Sequence, residues 1–260
     1  EFNADIEIVN FSNNSLDNKT VKTSFVCEET GNSYSSGIIK DNGENYISAG
    51  KISIIFPEIT KPSKATFTVE IDGTDIKNTY TLWLYPKTES VDISGAYIFE
   101  SVNQEAEELL SQGKTVLIIP QLEKVTNSIK GFYCADFWCY PMFRSISEMM
   151  GKPNPIGTMG LLIDDKHPAL SQFPTEYYST HQWWEIVENS VSEILDDNHA
   201  DKHIIVQTID NFERNHVLGL LYEYSHKNGK VVVLNADAEK LTATPEGRQF
   251  IKSVIHYCKA

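Results

Sequence analysis

The sequence predicts two domains, an all-β sandwich followed by an α/β domain. From Ile6 to Pro86 apolar and polar residues mostly alternate, which is typical of strands that bury one face. Beyond Pro86 the apolar residues instead form continuous runs, as in strands that are buried on both faces of a sheet. A chain of 260 residues is long enough for two domains of ordinary size.

The first domain is predicted to span residues 1–88. Its strands are separated by short clusters of Gly, Asn and Asp, residues that tolerate turn geometry. Short strands with turns at this density favour a sandwich. The last strand should end at Pro86, which has no N–H to donate to a neighbouring strand. The clearest predicted strands are 22–28, 65–71 and 78–85.

The second domain is predicted to span residues 92–260, after a short polar connection between Lys87 and Ser94. It opens with a strand at 96–99, a helix at 103–112 and a strand at 115–120, which together form a βαβ unit. Acidic residues near the start of that helix and Gly113 just beyond its end fit the helix dipole and a C-terminal cap. Further predicted elements are strands at 160–163 and 203–207, a hairpin of 218–224 with 230–234, and a helix capped by Thr244 and opened by Pro245.

Composition excludes several classes of partner. The net charge is -14 and the isoelectric point is near 4.9, whereas nucleic-acid binding requires a clustered basic surface. There is no run of 18 or more apolar residues, so no membrane insertion is expected. The four cysteines, Cys27, Cys134, Cys139 and Cys258, fit neither a disulfide framework nor a paired zinc motif.

Motifs for cofactors and for common hydrolytic chemistry are missing. The sequence contains no G-x-G-x-x-G, no G-x-x-x-x-G-K-[ST] and no G-x-S-x-G, all of which depend on glycine backbones. No spacing singles out one pair among the 36 acidic residues as glycosidase carboxylates. We therefore expect no cofactor, no metal and no catalytic residues within this chain.

Two local clusters could still carry chemistry. Cys134 could be a nucleophile with His167 as base and Glu176 as its orienting partner, but Asp136 stands where a tight nucleophile turn needs a small residue. The run Asp164-Asp165-Lys166-His167 resembles a ligand cluster, but neighbouring residues on an extended chain point to opposite faces. We interpret Cys134 as part of an aromatic surface loop and the second cluster as a polar strand end.

Ligands of open α/β sheets bind at the carboxyl ends of the strands, and we expect any pocket of this chain there. The aromatic residues of 132–143 and Tyr177, Tyr178, Trp183 and Trp184 could either pack internally or stack on sugar rings. The candidate ligand-binding residues are His167, Trp183, Trp184, Asp210, Arg214 and Glu223.

Two sets of segments resemble the C-terminal, non-catalytic portion of bacterial glycoside hydrolase family 2 proteins, which include β-galactosidases and β-glucuronidases. The resemblance covers nearly the whole chain. In the first domain the segments are 6–11, 61–65 and 77–86; in the second they are 113–120, 157–164, 167–170, 173–176 and 182–184.

The resemblance implies an immunoglobulin-like sandwich followed by a three-layer, flavodoxin-like domain of the class I glutamine-amidotransferase type. Amidotransferases of that fold carry a cysteine on a sharp elbow, which this sequence lacks. The parent enzyme would hydrolyse a glycosidic bond in a barrel upstream of Glu1. The resemblance also implies the upstream domains, a glycan or a second copy as partners, and export to the periplasm or cell surface. A carbohydrate-binding module and an unrecognised α/β hydrolase are the alternatives.

Overall fold

We describe the chain from a computed structural model, in which residues 1–12, 14–40, 43–56, 58–87, 90–133, 140–153 and 157–259 are described. The chain divides into two compact units, Glu1–Lys87 and Thr88–Ala260. The hypotheses that concern Cys134, Cys139 and the middle of the aromatic stretch 132–143 fall outside the described residues.

The first unit consists of two antiparallel sheets. One sheet has the strand order β3-β2-β5-β6, and the other pairs β1 with β4. Beside the irregularity in the pairing of β1 with β4, Gly50 pairs with Ile6 and has φ +118°, a backbone conformation that favours glycine. The strands are β1 (Phe2–Val9), β2 (Thr20–Cys27), β3 (Gly31–Ile38), β4 (Tyr46–Ile54), β5 (Ser63–Ile71) and β6 (Lys77–Leu84).

The core of the first unit lies between these two sheets. Ile6 and Ile47 of the two-stranded sheet pack with Val21 and Ile71 of the four-stranded sheet. A second cluster combines Ile52 and Ile54 with Phe25 and Phe67 and their neighbours. The alternation of apolar residues along the strands therefore buries one face of each sheet against the other.

The second unit is a mixed sheet with helices. Its strands are β7 (Tyr97–Phe99), β8 (Thr115–Ile118), β9 (Ser128–Ile129), β10 (Leu161–Ile163), β11 (Ser192–Ile194), β12 (Lys202–Ile209), β13 (Val217–His226) and β14 (Gly229–Leu234). Its helices are α1 (Gln104–Ser111), α2 (Tyr140–Met149), α3 (Trp184–Glu188), α4 (Ala238–Thr242) and α5 (Pro245–Lys259).

The main sheet has the order β10-β12-β13-β14-β8-β7, and β9 and β11 extend it beside β13. Among the strands that the structure describes, β14, β8 and β7 are the neighbouring parallel ones. The pairs β10–β12, β12–β13 and β13–β14 are antiparallel. The sheet is mixed because the predicted hairpin forms, in which the tight connection at 227–228 returns β14 antiparallel to β13.

The βαβ unit at the start of the second unit forms as its sequence predicts. The Asn103 side chain accepts a hydrogen bond from the Ala106 N–H at the start of α1, and Gly113 follows the helix with φ +79°. Ala106 and Leu110 of α1 pack on Val116 of β8 and Val231 of β14. The alternation of side chains along a strand then directs Leu117 and Val232 to the opposite face.

Helix α5 also begins where the sequence predicts. The Thr244 hydroxyl accepts a hydrogen bond from the Gly247 N–H, and Pro245 is the first helical residue. A row of α5 side chains, from Phe250 to Cys258, is buried. Among the described residues no helix is both long and apolar enough to cross a membrane.

Candidate functional site

A connected group of titratable side chains surrounds Glu223 on β13. Glu223 lies opposite His203 on β12 and Val232 on β14. Its neighbour Tyr222 packs in the core beneath α1, so Glu223 faces the other side of the sheet. The Glu223 cluster, as we call it, comprises Glu223, Lys230, Tyr257, His167, His203 and Asp164.

Both carboxylate oxygens of Glu223 accept hydrogen bonds. The Lys230 ammonium donates to Oε1 at 2.9 Å, and the Tyr257 hydroxyl donates to Oε2 at 2.7 Å. Lys230 Nζ also lies 2.5 Å from the Tyr257 hydroxyl oxygen and donates to it. The side chain of Glu223 is only 10% exposed. This closed triangle joins two adjacent strands to the last helix.

His167 approaches the same carboxylate from the segment that follows β10. Its Nδ1 accepts the backbone N–H of Ala169 at 3.2 Å, within a short 3-10 turn at Pro168–Leu170. The proton of a neutral imidazole is therefore on Nε2, which lies 3.6 Å from Glu223 Oε1. The ring meets those of Tyr257 and His203 edge-on, at centroid distances of 5.2 and 4.9 Å.

The pKa values of the cluster follow from burial and these bonds. Burial alone would raise the pKa of Glu223, but the hydrogen bonds from its neighbours outweigh burial and lower the pKa to about 2. Burial and the adjacent carboxylate raise the pKa of Tyr257. Burial, with a smaller contribution from Glu223, raises the pKa of the Cys258 thiol to about 12. The carboxylate is thus ionised and Tyr257 and Cys258 are protonated at neutral pH.

His167, His203 and Glu223 form one group of possible metal ligands among the described residues, with ligand atoms all within 4.8 Å of one another. A histidine that binds zinc through Nε2 carries its proton on Nδ1 and donates it to an acceptor. His167 has the reverse arrangement, because its Nδ1 faces the Ala169 N–H. Lys230 already supplies positive charge to Glu223. These donors fit an ion pair better than a metal.

The outer part of the cluster is a histidine–aspartate pair. His203 Nε2 lies 2.8 Å from Asp164 Oδ2, and both side chains are partly exposed. Asp165 instead pairs with Lys166 at 2.8 Å. Asp164 and His167 thus both reach His203, whereas Asp165 and Lys166 pair with each other, so the four side chains do not all converge on one point. The segment is a turn closed by the His167 N–H and the Asp164 carbonyl, and its side chains do not follow the predicted alternation of an extended chain.

Chemically, the cluster is suited to holding elements together. A carboxylate with a pKa of about 2 is a weak base and cannot act as a general acid near neutral pH. Its oxygens are engaged by Lys230 and Tyr257. What the arrangement supplies is a set of charge-assisted hydrogen bonds between β13, β14 and α5.

The predicted site residues do not gather at one place. His167 and Glu223 meet, but Asp210 follows β12, seven residues beyond His203, which is roughly 23 Å at about 3.3 Å per residue. Asp210 and Arg214 pair with each other there, with Arg214 Nη2 2.5 Å from Asp210 Oδ1. The expected common pocket is therefore corrected to two separate ion-paired groups at opposite ends of β12.

The Asp210–Arg214 pair shapes the loop between β12 and β13. Asp210 also accepts the backbone N–H groups of Asn211 and His216. The side chain of Asn211 in turn accepts the N–H groups of Glu213 and Arg214. Most of these bonds are local, which indicates that the pair organises the loop backbone.

The two adjacent tryptophans have different environments. Trp183 is completely buried, contacts Phe173 and Phe250, and donates its Nε1–H to the Thr175 hydroxyl at 2.9 Å. Trp184 is 44% exposed and stacks on Tyr133 with a centroid distance of 5.4 Å and an interplanar angle of 25°. Of these two tryptophans, Trp184 is the one that presents a ring surface to solvent.

Sequence reasoning missed Lys230 and Tyr257. The hairpin itself was predicted, and its register places Lys230 on the same face as Glu223, two residues from the directly opposed Val232. Counting along the two strands could therefore have found Lys230. Tyr257 gives no such signal, because its contact with Glu223 depends on how α5 packs on the sheet.

Comparison with known proteins identifies two family models. One, described as Domain of unknown function (DUF8488), matches residues 1–86. The other, described as Domain of unknown function (DUF8487), matches residues 97–260, which is more than half of the chain. No curated protein matches the chain. The chain belongs to the family described as Domain of unknown function (DUF8487).

Proposed function

We propose that this chain is a non-catalytic, architectural region of a larger carbohydrate-degrading enzyme. The observation that carries the proposal is the engagement of both Glu223 oxygens by Lys230 and Tyr257. Reactive carboxylates need an accessible oxygen and a pKa matched to their task. Glu223 is buried with a pKa of about 2, which suits a structural role.

The parentage rests on the resemblance to glycoside hydrolase family 2 proteins. In that assignment the first unit is an immunoglobulin-like sandwich, supported by its two stacked antiparallel sheets. The second unit is a class I glutamine-amidotransferase-like domain, supported by the βαβ unit of β7, α1 and β8. The upstream domains of the same polypeptide, or a second copy, are the partners of such a region, and the parent is exported to the periplasm or cell surface.

Turnover assays test the non-catalytic proposal. The chain and its Glu223→Gln and Cys134→Ala variants are incubated with chromogenic galactosides, glucuronides, activated esters and amides. We expect no turnover above buffer for any of the three proteins. Hydrolysis by the unmodified chain that either substitution abolishes would overturn the proposal in favour of an α/β hydrolase.

Carbohydrate binding is the second candidate function, and the stacked pair of Trp184 and Tyr133 is the observation that favours it. A flat, half-exposed aromatic surface suits the apolar face of a sugar ring. Calorimetry against galactosides and plant oligosaccharides distinguishes the two functions. A saturable signal that Trp184→Ala removes, but that Phe212→Ala at another exposed ring retains, would establish binding. If the chain is purely architectural, we expect no heat of sugar binding.

A further inference from the structure

The two sheets of the first unit differ in width, and a groove lies where the narrower sheet stops. The four-stranded sheet extends to β6, whereas the opposing sheet contains β1 and β4 alone within the described part of the first unit. A groove of about 650 Å³ runs between β1 and β6. It is lined mainly by apolar side chains, among them Ala4, Ile8, Phe67, Val69, Tyr80 and Leu82.

The inward face of β6 is left uncovered. The Tyr80 ring stacks on Phe67 at a centroid distance of 6.3 Å, so it points towards the inter-sheet space. It is nevertheless 50% exposed, and Ile76 beside it is 52% exposed. Apolar side chains on the inner face of a sandwich are ordinarily covered by the facing sheet. One further strand beside β1 would cover them.

The backbone edge that could hold this strand is free. Within residues 1–12, 14–40, 43–56 and 58–87, β1 pairs only with β4 and β6 pairs only with β5. The second edge of β1 therefore presents unpaired N–H and C=O groups beside the groove. Such an edge is a template for an added strand.

Charge on β1 selects the occupant. The outward-facing residues of β1 are Asn3, Asp5, Glu7 and, at its end, Val9, which alternate with the inward-facing Ile6 and its neighbours. From the β4 side, Lys51 pairs with Asp5 at 2.8 Å and the Tyr46 hydroxyl hydrogen-bonds to Glu7. A strand added on the free side would therefore place its outward side chains beside acidic ones, and basic residues fit there.

A second copy of the chain fits this edge poorly. When β1 pairs antiparallel with β1 of another molecule about a two-fold axis, residues of the same face oppose each other. The central registers then place Asp5 opposite Asp5 or Glu7, or Glu7 opposite Glu7. Like charges directly opposed across a sheet are destabilising. The charge pattern favours a different polypeptide.

We propose that the free edge of β1 binds an extended segment of another polypeptide in which apolar and basic residues alternate. The apolar side chains fill the groove against Tyr80 and Leu82, and the basic ones lie beside Asp5 and Glu7. This inference goes beyond the architectural role proposed above and does not depend on it. It concerns a surface for a partner and is argued from the geometry of the first unit alone.

Synthetic peptides test this proposal with the full chain. The probe is a fluorescent peptide of alternating valine and lysine, and its counterpart alternates valine and glutamate. Anisotropy at physiological salt should show saturable binding of the lysine peptide and weaker binding of the glutamate peptide. Glu7→Lys should weaken binding of the lysine peptide by about three- to tenfold and should strengthen binding of the glutamate peptide. Glu28→Lys, at an exposed site in the turn after β2, makes the same change in net charge and should leave both affinities unchanged.

Backbone pairing is tested separately with N-methylated peptides. Alternate N–H groups of a strand point to opposite edges, so methylating one alternate set blocks pairing with β1 and methylating the other does not. We expect one methylated lysine peptide to bind and the other to fail. Equal binding of both, an unchanged affinity in Glu7→Lys, or no binding of the unmodified lysine peptide up to millimolar concentration would overturn the proposal.

Discussion

The hydroxyl of Tyr257 lies 2.7 Å from Glu223 Oε2 and joins helix α5 to the middle of the mixed sheet. The two residues are separated by 34 positions in the chain. Lys230 bonds to both of them, so the last helix, β13 and β14 meet at one ionised carboxylate. Because that carboxylate is buried, removing any donor leaves it less well compensated.

Replacing Tyr257 with phenylalanine should destabilise the second unit by about 2 kcal/mol. The change removes a hydrogen bond to a charged acceptor and little volume. Urea denaturation followed by tryptophan fluorescence measures this, because three of the four tryptophans belong to the second unit and only Trp83 belongs to the first. Tyr177→Phe is the matched control, since the Tyr177 side chain is 62% exposed. Equal effects of the two substitutions would contradict a role for the Tyr257–Glu223 bond.

Acid should weaken the second unit through Glu223. Its pKa falls from the usual 4.5 to about 2 on folding, so the ionised form stabilises the folded state. That contribution, on the order of 3 kcal/mol, is complete above pH 4.5 and is lost as the pH falls towards 2. Denaturation curves of the chain and of Glu223→Gln between pH 7 and pH 3 check it. Glu223→Gln should be less stable than the unmodified chain at pH 7 and should lose less stability as the pH falls to 3. If the stabilities of the two proteins fall in parallel, Glu223 is not the group responsible.

The adjacent tryptophans should respond differently to alanine substitution. Trp183 is completely buried, so Trp183→Ala should cost about 3–5 kcal/mol, whereas half-exposed Trp184 should cost about 1 kcal/mol. Thermal unfolding followed by circular dichroism compares them. Trp183→Phe retains a ring between Phe173 and Phe250, so its loss of stability should lie between the losses of the two alanine variants. A larger loss of stability in Trp184→Ala than in Trp183→Ala would show that the Trp184–Tyr133 stack supports the fold.

The sequence was most informative where local chemistry decides the structure. Asn103 and Gly113 bracket α1, and Thr244 with Pro245 opens α5, because caps act through bonds within a few residues. Apolar and polar residues alternate where a strand buries one face, and apolar residues form continuous runs where it buries both. These signals require no knowledge of the distant contacts in the chain.

The candidate site could be predicted only in part, because the strand-end rule grouped His167 with Glu223, which do meet, but gave no sign of Tyr257. His167, Glu223 and Tyr257 are far apart in the sequence, and only the packing of α5 and of the 168–170 turn on the sheet brings them together. The placement of Asp210 was wrong for a related reason. It was grouped with Glu223 at one strand end, but β12 runs antiparallel to β13 and carries Asp210 to the far end of the sheet.

Gly229, at the start of β14, should not tolerate a side chain. A Cβ at this position would meet the backbone oxygen atoms of Lys114 and Leu110, neither of which is the end of a flexible side chain. Gly229→Ala should therefore separate the β13–β14 hairpin from the segment that joins α1 to β8, with a loss of about 3 kcal/mol or more. Gly37→Ala is the control, because its Cβ would make only ordinary contacts with Val21 and Ala49. Urea denaturation and amide hydrogen exchange of β14 measure the effect, and wild-type stability of Gly229→Ala would show that this close approach does not constrain the hairpin.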